Sequence, residues 1–244
     1  MSQEKVGFLL IHGFTGTHFE MQPLENFLKN EGYLVNNITL PGHETTAKEH
    51  ANLNWMKIVT YANEQLIQLK KEVDKVFVAG LSMGGAISLY LASQNPSITG
   101  IIAMSTPYNI PDIRAVFVKV FPFLVKLIPV QYNTNEEIED EEVKKTHKCY
   151  KKYYTKSVFW LIELLKETRK NLSKISVPTL ILHSVRDPSV PVSHAKKIYS
   201  KIPHENKNLV FINKGGHIIP EDYGKDKAFS IIKQWIESQI QADS

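Results

Sequence analysis

Gly80-Leu81-Ser82-Met83-Gly84 has the spacing G-x-S-x-G. A serine hydroxyl is a poor nucleophile until a base takes its proton and its Oγ stands clear of its surroundings. A sharp strand-to-helix turn does the second job, and its strained backbone demands small neighbours, which Gly80 and Gly84 supply. A helix beginning just after the serine aims its free N–H groups at the place where negative charge develops. The flanks fit. Val76-Phe77-Val78-Ala79 is an apolar, β-branched run with the look of a buried strand, and a helical pattern follows Ser82 until Asn95-Pro96.

Such a serine needs a histidine base, and the histidine needs an acid that fixes its tautomer and stabilises the imidazolium. After this kind of turn the partners come in the order acid, then histidine, each just past a strand end. The chain has nine histidines. Beyond Ser82, only Asp187 and His217 occupy Gly- or Pro-marked turns directly after strong strands. Asp187 lies in Ser184-Val185-Arg186-Asp187-Pro188, after Val177–His183. His217 lies in Lys214-Gly215-Gly216-His217, after Lys207–Asn213. His194 and His204 fall in or beside a helix pattern, His183 within a strand, and Asp222 and Asp226 follow His217 in the wrong order. Near the start, the apolar run Val6–Ile11 ends in His12-Gly13-Phe14-Thr15-Gly16, a glycine loop suited to present backbone N–H groups. It is the place for one half of an oxyanion hole, with the Phe14 N–H as donor and the Met83 N–H as the other half.

The elements that must hold these residues alternate. Strands are expected at Val6–Ile11, Tyr33–Leu40, Lys75–Gly80, Gly100–Ser105, Val177–His183 and Lys207–Asn213, with helices at Phe19–Lys29, from Asn54 to about Glu72, at Ser82–Gln94, from Ser193 to Tyr199 and at Asp226–Gln239. The fold class is therefore α/β: a doubly wound, mostly parallel sheet of about six core strands with its site at the carboxyl ends. The alternation breaks between 107 and 174. That block reads as a helical cap (lid) inserted between core segments 1–106 and 175–244. Within it Ile113–Val130 is strongly apolar and reads as a buried helix, as a lid lining an acyl pocket, or as a lipid contact. The acidic run Glu136–Glu142 reads as a solvated helix face, and Ser157–Lys170 as an amphipathic helix. His43, in Pro41-Gly42-His43, reads as a loop or structural histidine with a substrate contact as the alternative, and Trp55 as core with site lining as the alternative.

The 244 residues suffice for one sizeable core. A balance of 29 basic and 25 acidic residues gives no argument for a nucleic-acid partner. One cysteine, Cys149, excludes an intrachain disulfide and reads as incidental. No run reaches the ~18 apolar residues of a membrane span, and the first residues lack a signal-peptide core, so the expectation is a cytoplasmic protein with at most transient lipid contact.

With these residues in place, the chain resembles the α/β-hydrolase superfamily, and within it small bacterial carboxylesterases and monoacylglycerol lipases. The matching pieces are His12-Gly13-Phe14-Thr15-Gly16, Pro41-Gly42-His43, Gly80-Leu81-Ser82-Met83-Gly84-Gly85, Asp187-Pro188-Ser189-Val190-Pro191 and Gly216-His217. Glu44 stands where that family often has glycine, and the antiparallel strands that open its larger members are not evident. The resemblance implies two-step acyl transfer by Ser82, His217 and Asp187 on a small ester with an apolar, short- to medium-chain acyl group, with no metal or cofactor. The same triad serves thioesterases and amide or carbon–carbon bond hydrolases, and a low-turnover binding protein is the reading from another class. A serine at the elbow argues against the dehalogenase and epoxide hydrolase branches, which use aspartate.

Overall fold

The structure is a computed structural model that describes residues 4–110, 130–132 and 137–242. The apolar stretch from Ile113 as far as residue 129, and Glu136, fall outside the described residues.

Six strands form one parallel sheet in the order β2-β1-β3-β4-β7-β8. They are β1 (Val6–Ile11), β2 (Leu34–Ile38), β3 (Lys75–Leu81), β4 (Gly100–Met104), β7 (Thr179–Ser184) and β8 (Lys207–Ile212). The four inner strands are buried at every position, which is why they read as continuous apolar runs. Alternate side chains feed two separate cores. Leu9, Ile11, Val76, Val78, Ile101 and Ala103 point to one face, and Phe8, Leu10, Phe77, Ala79, Ile102 and Met104 to the other. The first face is covered by α3 (Trp55–Leu69), α4 (Met83–Gln94) and α7 (Ser193–Lys201), the second by α1 (Gln22–Asn30) and α8 (Lys225–Ala242). The sheet is thus doubly wound, as the alternation of elements implied.

Local chemistry sets the ends. Asn54 caps α3, its Oδ1 accepting the Met56 N–H at 2.7 Å. A short helix, α2 (Ala47–Ala51), opens with a full capping box between Thr46 and Glu49; it is absent from the sequence reading because five residues carry no periodicity. Trp55 is half-buried and meets Tyr90 of α4 edge to face at 5.7 Å, a core contact.

Between β4 and β7 the described residues are not all helical. Besides α5 (Glu141–Thr146) and α6 (Thr155–Asn171), β5 (Val130–Tyr132) pairs antiparallel with β6 (Lys152–Tyr154). A Lys- and Tyr-rich three-residue strand has no alternating apolar signal to read. The acidic run also departs from a solvated helix face. Helix α5 starts only after Asp140, whose carboxylate caps it, and Ile138 is 1% exposed in the core. Helix α6 packs on α4 through Trp160, Leu161, Leu164 and Leu165, and so belongs to the layer over the sheet. Among the described residues no helix is long and apolar enough to cross a membrane.

Candidate active site

Ser82 follows the last residue of β3 with φ 54° and ψ −114°, a region L-residues avoid unless the surroundings enforce it. The surroundings do so by close packing. A Cβ on Gly80 would lie 2.1 Å from the Gly84 carbonyl oxygen, and a Cβ on Gly84 would lie 2.1 Å from the Ile11 carbonyl oxygen. The Ser82 N–H donates to the Met104 carbonyl at 2.8 Å, tying the turn to β4. Met83 is the first residue of α4, so its N–H belongs to the set that has no acceptor within the helix.

The loop after β1 runs beside this turn: a Cβ on Gly13 would lie 3.7 Å from the Ser82 Cβ. Its polar groups are almost all engaged. The Gly13 N–H donates to Glu20 Oε2 at 2.8 Å, and the Gly13 carbonyl accepts from His12 Nδ1 at 2.9 Å. The Phe14 carbonyl accepts from His43 Nε2 at 2.6 Å and His50 Nε2 at 3.0 Å. These donors are assigned, since both partners are carbonyls and only an N–H can bond them. Among the described residues the Phe14 N–H has no acceptor. The Phe14 ring sits among His50, Tyr153 and Trp160 at centroid distances of 5.1, 5.5 and 5.1 Å. His43 is therefore structural, but it is 2% exposed and not the open loop residue its turn suggested. Glu44, with φ 60°, occupies the conformation that glycine adopts without strain, and its carboxylate meets His18 Nδ1 at 2.6 Å.

Asp187 and His217 meet at the carboxyl ends of β7 and β8. His217 Nδ1 lies 2.7 Å from Asp187 Oδ2, with side-chain exposures of 4% and 0%. The other carboxylate oxygen accepts the Ser189 and Val190 N–H groups at 2.9 and 2.8 Å. Burial opposes the charge on Asp187, yet the His217 bond and charge and these two N–H groups hold its pKa below the ordinary value. Burial likewise disfavours the His217 imidazolium, but Asp187, backed by Glu137 and Glu20, outweighs it and raises the pKa to about 9. His183 adds a second buried imidazole, 3.6 Å from Asp187 and bonded through Nε2 to the Val190 carbonyl. The Ser82 hydroxyl makes no hydrogen bond to His217 among the described residues; such bonds commonly tighten only when substrate is bound.

The His217 loop is held from below by Asp222, 1% exposed, which accepts the N–H groups of Gly216, Glu139, Asp140 and Tyr223. The His217 N–H itself donates to the Glu137 carbonyl at 2.7 Å. The sequence reading gave no role to Glu20, His12, His50 or Asp222. His12 and Asp222, each within a few residues of a glycine turn, were the only ones with a local signal. Among the described residues no cluster of His, Cys, Asp and Glu is arranged to hold a metal ion.

Known proteins share this arrangement of elements. Residues 2–223 match Hydrolase_4, the family described as serine aminopeptidase, S33. The chain is 33% identical over 218 residues to the thermostable monoacylglycerol lipase of Bacillus sp. (strain H-257), covering 89% of this chain and 85% of that one. It is 27% identical over 233 residues to a carboxylesterase of Bacillus subtilis (strain 168), covering 94% and 91%. A solved structure from the metagenome-derived lipolytic enzymes LipS and LipT superposes with a TM-score of 0.89 at 25% identity, over 96% of this chain and 94% of that one. The chain belongs to the Hydrolase_4 (S33) family of α/β-hydrolases.

Proposed function

We propose that this protein hydrolyses carboxylic esters of short- to medium-chain acyl groups, as a carboxylesterase or monoacylglycerol lipase does, through an acyl-enzyme on Ser82. The observation that carries the reading is the buried 2.7 Å bond between His217 and Asp187, at the same carboxyl-terminal end of the sheet as a serine held at φ 54°. His217 Nε2 takes the Ser82 proton as Oγ attacks the ester carbonyl, and the carbonyl π electrons move to oxygen. The Phe14 and Met83 N–H groups receive that oxyanion; losing one such donor typically costs about 3 kcal/mol of transition-state stabilisation. The imidazolium then protonates the departing alkoxide, leaving an acyl-Ser82. His217 next deprotonates a water that attacks the acyl carbon, and Ser82 leaves with the proton. Asp187 stays ionised and keeps His217 Nδ1 protonated. The block 107–174 acts as a cap, supported by its contacts to the oxyanion loop: Tyr150 N–H to the Thr15 carbonyl at 2.9 Å, and Tyr153 and Trp160 against Phe14.

The curated relatives, a monoacylglycerol lipase and a carboxylesterase, support an ester over an amide. The family description supports a second reading, removal of an amino-terminal residue from a peptide. Hydrolysis of p-nitrophenyl esters of increasing acyl length, beside aminoacyl p-nitroanilides and an acyl thioester, decides between them. Ester turnover that vanishes in Ser82→Ala and peaks at one chain length is the expected result. Ester turnover that survives in Ser82→Ala overturns the nucleophile assignment, and a preference for the anilides overturns the ester assignment.

A further inference from the structure

Glu20 is a buried carboxylate that the mechanism above does not use. It lies on the 3-10 turn His18–Met21 at 3% exposure. Its Oε2 is the acceptor of the Gly13 N–H. The loop closes around it: a Cβ on Gly16 would lie 2.0 Å from Glu20 Oε1. Glu20 thus fixes the peptide unit immediately before the one that ends in the Phe14 N–H.

Behind Glu20 stands His147, from the arm that returns from α5 to β6. Its Nε2 is 3.9 Å from Glu20 Oε1 and its Nδ1 2.5 Å from Glu221 Oε2, with the imidazole 5% exposed. Glu221 sits four positions after His217. The same arm is bolted to the oxyanion loop at two further points, Tyr150 N–H to the Thr15 carbonyl at 2.9 Å and Thr17 Oγ1 to the Lys148 carbonyl at 3.1 Å. The Tyr150 hydroxyl also donates to the Gly42 carbonyl at 2.8 Å. One imidazole therefore joins the inserted block to both loops of the site.

We propose that Glu20 is a positioning residue for the Phe14 oxyanion donor and that His147 is its counter-charge, so that the arm 147–150 sets the geometry of the oxyanion hole. The inference rests on Phe14 being that donor. The charges agree with it. Burial raises the Glu20 pKa to about 7, against the lowering effects of His147 and the Gly13 N–H. Burial disfavours the His147 cation, but Cys149, Glu221 and Glu20 together raise its pKa to about 10. Of the other charged groups nearby, Glu221 and Glu137 push Glu20 further up. The ionised carboxylate is the stronger acceptor for Gly13 and the better partner for His147.

The test uses Glu20→Ala, Glu20→Gln, His147→Gln and the Glu20→Ala/His147→Gln double variant, with Ser82→Ala beside them. Melting temperature, kcat and KM for p-nitrophenyl butyrate, and the rate of labelling by a fluorophosphonate are read for each. Glu20→Ala is expected to lower kcat by about 10- to 100-fold with KM little changed, since a misplaced donor weakens only the transition state. Glu20→Gln keeps an acceptor for Gly13 and is expected to restore most of kcat. The double variant should be no slower than Glu20→Ala, because the two side chains act as one unit. Without its cation Glu20 titrates higher, so the deficit of His147→Gln relative to wild type should shrink as pH rises from 7 to about 9. A folded Glu20→Ala with wild-type kcat overturns the proposal while leaving the triad intact, as does strict additivity in the double variant. Should Glu20→Ala fail to fold, a pH-independent ratio for His147→Gln overturns it. A wild type that neither hydrolyses esters nor takes the phosphonate overturns the triad reading and this inference together.

Discussion

Replacing Asp187 with asparagine turns one oxygen into an amide nitrogen in a carboxylate where both oxygens are engaged. Oδ1 accepts two backbone N–H groups and Oδ2 accepts from His217 Nδ1. The rise of the His217 pKa from an ordinary 6.5 to about 9 corresponds to about 3 kcal/mol favouring the imidazolium. Wild-type kcat/KM should therefore climb about tenfold per pH unit below 9, because only neutral His217 can act as base. Asp187→Asn removes the charge and frees the other imidazole tautomer. The limb should move to lower pH, toward the ordinary histidine range, while the plateau falls by about 10⁴. The same pair carries a stability signature. A raised histidine pKa stabilises the fold fully below about 6.5 and loses that contribution as pH rises through about 9. The melting temperature of the wild type should fall over that window, and that of Asp187→Asn should fall less. The assay is initial-rate hydrolysis of p-nitrophenyl butyrate from pH 5 to 10, with differential scanning fluorimetry in the same buffers. An unmoved limb with an intact plateau would refute both the pairing and the role of Asp187.

Ser82→Ala should lose about 10⁴–10⁶ in turnover while melting close to wild type, since alanine keeps the Cβ that already tolerates φ 54°. Gly84→Ala should fail to fold or lose more than about 4 kcal/mol, because its Cβ meets the backbone oxygens of Ile11 and His12, which no rotamer change can move; chemical denaturation measures it. Asp222→Ala strands four N–H groups gathered beneath His217, and should cost about 3 kcal/mol or more in urea denaturation together with a fall in kcat, whereas Asp222→Asn, which keeps one acceptor, should lose less of both. Phe77→Ala, which removes a ring stacked on Phe8 at 5.2 Å and set edge-on to Trp235, should destabilise by about 3–5 kcal/mol and leave the pH profile of the remaining folded enzyme unchanged.

The sheet was legible because its four inner strands are short, apolar and buried on both faces, and β1 was legible to the residue. So were the loops that carry Ser82, Asp187 and His217, since glycine and proline mark the strand ends and chemistry limits what can stand there. The two-stranded ribbon was not, since its pairing joins residues with no apolar alternation across about twenty positions. The acidic run misled for a related reason. Charge composition says helix face, but Glu137, Glu139 and Asp140 spend backbone groups on His217 and Asp222, contacts that cross some eighty positions. The turn around His43 suggests exposure because loops generally are exposed, while its neighbours in space come from two other segments, the loop of His12 and Phe14 and the short helix of His50.

The same distance in sequence hides what fixes the loop proposed to hold the oxyanion. An N–H left without an acceptor is costly in a protein interior, and a loop free to turn would hand it to the nearest carbonyl. Here the alternatives are closed. His12 holds the Gly13 carbonyl, Glu20 the Gly13 N–H, and two imidazoles the Phe14 carbonyl, so the peptides on either side of the Phe14 N–H cannot rotate without breaking a buried bond. His12 can do this only while neutral, since a neutral ring accepts as well as donates: it donates to Gly13 through one nitrogen and accepts the Leu40 N–H through the other at 3.1 Å. Burial, with the mutual repulsion of the rings, lowers the pKa of His12 and takes that of His50 down to about 3, and burial lowers that of His43. Imidazoles serve here as neutral scaffolding around one donor, while a fourth, His217, is kept basic by its aspartate. The division follows from partners: carbonyls and other rings surround the first three, and a carboxylate faces the last.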